Sequence, residues 1–199
     1  MVWSNAMIAT VVVLVAAGFL LGNFMAARPK ASETRVADFR LMARQRQIFP
    51  KLISCPSWLL KTLAVLRPAK PMGTDPYART PSTPMIAQYT LMIDELALPL
   101  AQYVAVDGTW QLIEQTFYTA KMQRQAEQLH GVAVDLPPSI APQVLGLALK
   151  ANHIALYWLD NQYQHSHKAY KLDKAQADKD LQALKRQLSA WAIQVHQQR

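Results

Sequence analysis

Three side chains at seven-residue intervals, His153, Asp160 and His167, come closest to a chemical site in this sequence, with His165 beside the last of them. Imidazole and carboxylate groups are common donors to a divalent cation, and a seven-residue step on one continuous helix returns to nearly the same face. Such a row would define a metal-dependent enzyme or a metal-binding module. The spacing works against a shared ion, because seven helical residues rise about 10 Å whereas ligands sit about 2.0–2.2 Å from zinc. The row is therefore expected to be a polar stripe, with no metal and no cofactor.

Cys55 is the only cysteine in 199 residues, which excludes an intrachain disulfide and a CxxC zinc site. It has no sequence-local base to form a thiolate, so a structural or acylated thiol is expected rather than a nucleophile. Beyond residue 27 the glycines (Gly73, Gly108, Gly131, Gly146) are scattered, and GxSxG and HExxH are absent. Phosphate-cradling loops and the familiar hydrolase signatures are thus missing. No catalytic residue is expected.

The elements that would hold these residues begin with an apolar block. Residues 7–27 carry no charge in 21 positions, and as a helix they would be about 31 Å long, matching a hydrocarbon core of about 30 Å. A transmembrane helix is expected there, after a short outer tail at 1–6. Ser4-Asn5-Ala6 resembles a cloning scar, which leaves Met1 or Met7 as the natural start. Gly18 and Gly22, continued by Ala26, form a small-residue row suited to a helix–helix interface.

Charge is strongly segregated. The net +8 of the chain is carried by residues 28–70, where ten Lys and Arg oppose Glu33 and Asp38, and the remainder is balanced. Basic residues stay on the cytoplasmic side, so the expected topology is N-terminus out and residues 28–199 in the cytoplasm of a bacterial inner membrane. In the basic juxtamembrane region 28–67, amphipathic helices are expected at 32–49 and 58–66, with Lys51–Cys55 extended before Pro56. Arg28, Lys30, Arg35, Arg40, Arg44, Arg46, Trp58 and Lys61 would contact anionic lipid headgroups. No nucleic-acid motif accompanies that charge, and no nucleic-acid partner is expected.

Five prolines make 68–84 an extended linker. Beyond it, 85–199 is expected to be a bundle of about four helices: one through Tyr103 kinked at Pro99, one from Thr109 to Gly131, an apolar central helix from Ser139 to Leu159, and a last helix over 172–198. In the last, Ala177, Leu181, Leu184, Leu188, Trp191 and Val195 recur in a 4-3-4-3-4 seam. The fold class expected is all-α. The function expected is a single-pass membrane-anchored accessory or scaffold protein that engages lipids and either a membrane complex or a second copy of itself. The metal-dependent module is the alternative.

Overall fold

The computed structural model describes residues 5–26, 31–67, 84–113, 117, 119–163 and 171–197, and along the first helix it describes the side chains of Met7 and residues 10–19. The linker over 68–83, the tail at 1–4, Arg28, Lys30, His165 and His167 lie outside the described residues. The chain runs through α1 (Asn5–Ala26), α2 (Ala31–Gln45), β1 (Ile48–Ser54), α3 (Leu60–Leu66), β2 (Met85–Met92), β3 (Leu98–Val106), β4 (Thr109–Leu112), α4 (Ala120–Glu127), β5 (Val144–Ala151), β6 (His153–Trp158) and α5 (Lys174–His196). The six strands form one antiparallel sheet in the order β1-β2-β6-β5-β3-β4. The fold is mixed α/β, which corrects the all-α expectation and the helical bundle over 85–199.

The apolar run 144–159, expected to be the central helix, is a hairpin in the middle of the sheet. Lys150 pairs with His153 across the two-residue turn Ala151-Asn152, and Ala151 takes φ 53°. Leu147, Leu149, Ile154, Leu156 and Trp158 point into one core, while Leu145, Ala155 and Tyr157 point into another on the opposite face. A strand buried on both faces has no polar side, so its sequence is apolar throughout. The β3–β4 hairpin turns on Asp107 and Gly108, both at positive φ (48° and 74°), as a two-residue hairpin loop demands. In β2, Ala87, Tyr89 and Leu91 are buried while Gln88 and Thr90 between them are half-buried, the period-two alternation of a strand.

Helices cover one face of this sheet. α5 lays Ala177, Leu181, Leu184, Leu188, Trp191 and Val195 into the main core, joined by Phe39 and Ala43 of α2 and Ala126 of α4. Burying each leucine contributes roughly 1.5–3 kcal/mol. Asp173 caps α5 by accepting hydrogen bonds from the Ala175 and Gln176 amides, and Thr119 caps α4 through the Met122 amide. α2 stops at Gln45 because Gln47 enters the left-handed region at φ 63° and turns the chain into β1. On the opposite face, Trp58 and Leu59 lead into α3 and seat on Gly146, where no larger residue fits: an added Cβ would lie 2.6 Å from Leu59 Cδ2 and from the Tyr103 carbonyl.

β1 is an edge strand. The Cys55 amide bonds to the Pro84 carbonyl, so by antiparallel alternation Ile48, Pro50, Leu52 and Ser54 turn their backbone groups outward. Pro50 thereby removes a donor from the free edge, a common protection against unwanted pairing.

α1 spans Asn5–Ala26, yet among the described residues no helix is long and apolar enough to cross a membrane. The single-pass anchor, its topology and the inner-membrane assignment are corrected on that finding. The membrane-anchored helical scaffold is corrected with them.

Candidate functional site

α2 faces the 3-10 turn Asp160–Gln162 at the end of β6, and this brings together two residues 120 positions apart. Arg40 Nε donates to Asp160 Oδ2 at 2.7 Å and Arg40 Nη2 donates to Oδ1 at 2.9 Å, the two-pronged fork that guanidinium and carboxylate geometry favours. The Tyr89 hydroxyl adds a third bond to Oδ2 at 3.0 Å. Asp160 is only 3% exposed and Tyr89 fully buried, so the carboxylate is shielded from water and these bonds compensate its burial. Hydrogen bonding to Asp160 holds the Arg40 guanidinium above its ordinary pKa, outweighing the opposing effect of burial. Burial, reinforced by the Asp160 charge, pushes the Tyr89 phenol well up. Both carboxylate oxygens of Asp160 are thus engaged.

The ion pair lines a cleft of about 680 Å³ between α2, β1, β2 and the turn after β6. Arg67 at the end of α3, Glu33 and Ser32 in the first turn of α2, and Asn161 supply its other polar lining. Val36, Leu52, Met85 and Leu159 supply an apolar wall. A second cavity of about 600 Å³, between α3 and the β3–β4 turn, is lined mainly by apolar groups with Lys61 and Asp107 among them.

His153 and Asp160 of the expected metal row do not share a helix. His153 opens β6, opposite Lys150 and Met92, whereas Asp160 sits in a 3-10 turn already committed to Arg40 and Tyr89. Among the described residues no group of three or more His, Cys, Asp or Glu side chains is placed to hold a metal ion. The metal-dependent alternative is corrected accordingly.

Of the basic residues expected to face lipid, Arg40 and Arg46 make ion pairs within the fold. Arg40 holds Asp160, and Arg46 makes a second fork to Asp178 of α5 at 2.7 and 2.8 Å. The Arg35 Nε is buried against the fold, while Arg44 is exposed. Trp58 packs edge-on against Tyr157, with ring centroids 5.3 Å apart, and Lys61 stands at the second cavity. Gly18 is open, with nothing within 4 Å of where a Cβ would be. Gly22 and Ala26 lie within α1, but their surroundings fall outside the described side chains. Cys55 is buried, and burial raises its thiol pKa, the opposite of nucleophile activation.

Two groupings carry no signal at sequence level. One is Arg40–Asp160–Tyr89. The other surrounds Asp180, which is 4% exposed and accepts hydrogen bonds from Ser139, from Tyr163 at 2.8 Å and from Gln176 at 2.8 Å. Burial and the hydrogen bond to Asp180 push the Tyr163 phenol up. Of these contacts only Gln176–Asp180, a helical four-residue step, is local enough to be guessed from spacing.

No family model, curated protein or solved structure matches this chain.

Proposed function

We propose that the protein works by association: α1 joins a second copy of the chain and the α/β unit is the cargo so assembled. The observation that carries this reading is the state of α1. Its described large apolar side chains, Met7, Val11–Val15 and Phe19, are 49–69% exposed, and the helix bears no charge. So much contiguous apolar surface on a helix is unfavourable in water and favours cover by another apolar surface. A second α1 supplies one without charge repulsion, and the open position at Gly18, with Gly22 and Ala26 at four-residue steps, lets two backbones approach closely. The ion pairs of Arg40 and Arg46, which tie α2 to the sheet and to α5, support a rigid carrier for such a helix.

The test is the mass of the full-length protein in solution by sedimentation equilibrium, with Gly18→Leu as the variant. A dimer or higher oligomer that dissociates at least about tenfold more readily in Gly18→Leu supports the reading. A monomer, a variant that associates like the parent, or a chain that becomes monodisperse only on lipid vesicles overturns it.

A further inference from the structure

We infer that the cleft lined by Arg40 and Arg67 is a binding site for an amphipathic monocarboxylate, a ligand with one carboxylate head and an apolar body. Its volume of about 680 Å³ lies within the range of small-molecule pockets, roughly 300–1,000 Å³. Two guanidinium groups line it, and the planar guanidinium fork matches a carboxylate bidentately.

Arg40 is prepared for that task. Two of its N–H groups are fixed on Asp160, and Tyr89 anchors Asp160 from behind, which immobilises the guanidinium before any ligand arrives. A guanidinium carries five N–H donors, so it has further ones to offer. A side chain already held in one rotamer loses little entropy on binding.

The remaining lining sets the ligand class. Leu52 and Met85 leave 47% of their surface exposed beside Val36 and Leu159, an apolar wall that a hydrocarbon body would cover. Two carboxylates, Glu33 and Asp160, line the cleft beside the two guanidinium groups, a balance that suits a single negative charge better than a phosphate dianion. The site is independent of α1 and of the association proposed above.

The full-length protein is titrated calorimetrically with sodium octanoate, with 1-octanol and inorganic phosphate as comparators, and the amide signals of Ala87 and Asn161 are followed by NMR. Octanoate is expected to bind saturably and to shift both signals, with the comparators at least about tenfold weaker. Arg67→Gln, at an exposed position outside the core, is expected to weaken octanoate at least about fivefold without changing the melting temperature. Arg40→Lys keeps the charge but gives up the fork to Asp160, so it is expected to weaken octanoate and also to lower the melting temperature, and Arg67→Gln decides alone if that variant does not fold. Equal binding of octanoate and octanol, unshifted Ala87 and Asn161 signals, or unaltered affinity in Arg67→Gln overturns the inference.

Discussion

Arg40 on α2 and Asp160 after β6 meet through two hydrogen bonds of 2.7 and 2.9 Å, and this pair clamps the first helix of the α/β unit to the end of its central strand. Removing one partner strands the other. Arg40→Met should destabilise the protein by about 3 kcal/mol, since it leaves a carboxylate that is 3% exposed without its cation. The double variant Arg40→Met with Asp160→Leu should recover much of that loss. Urea denaturation of the two single variants and the double variant measures both.

Gly146 should tolerate no side chain. Its Cβ would meet the Tyr103 carbonyl at 2.6 Å, a backbone atom of the neighbouring strand that cannot swing aside, as well as Trp58 and Leu59. Gly146→Ala is expected to cost about 1–3 kcal/mol. It should also lift the segment carrying Trp58 from the sheet, which urea melts followed by tryptophan fluorescence would detect.

The α5 seam is the largest single contribution of a helix to the main core. Leu184→Ala, at a fully buried position, should destabilise by about 2–5 kcal/mol. Lys179→Ala, on an exposed face of the same helix, should stay within about 0.5 kcal/mol. Thermal melts of the two variants compare a buried and a solvent position on one element.

Alkaline pH should unfold the protein. Burial raises the phenols of Tyr89, Tyr103, Tyr157 and Tyr163 above the ordinary tyrosine value of about 10. In that range the folded state holds protons that the unfolded state releases, so the stability they confer is complete below about pH 10 and falls as pH rises past it. Melting temperature should drop steadily above that point. Tyrosinate absorbance of these four residues should appear together with loss of fold rather than before it.

Cys55 should react with an aqueous thiol reagent only as fast as the protein opens, being 5% exposed with its pKa raised by burial. Labelling rates with and without urea test this. Rapid native labelling would contradict the packing of Cys55 beneath α3.

The seam of α5 was legible because one buried face and one wet face leave a period in the sequence. Leu145 to Leu159 offered none, since strands buried on both sides are apolar at every position and resemble a buried helix. Met85, Tyr89, Met92 and Ile93 also stand at steps of three and four residues, a coincidence that mimics a helix over the start of 85–103. The alternation Ala87-Gln88-Tyr89-Thr90-Leu91 and the Asp107-Gly108 turn were the competing and correct signals. The cleft was illegible for another reason. Arg40 reaches Asp160 only through the fold, and no rule of local spacing joins side chains 120 positions apart.

The strand order has a consequence for the protein's own synthesis. β1 and β2 pair with each other, but the next partner of β2 is β6, and the strands between them in sequence lie beyond it in the sheet. The β1–β2 pair therefore waits for its next partner until His153–Trp158 has left the ribosome, and α5 comes later still. Non-local pairing of this kind folds slowly. The nascent chain is most exposed to aggregation in that interval, so a factor that shields its growing sheet would act there.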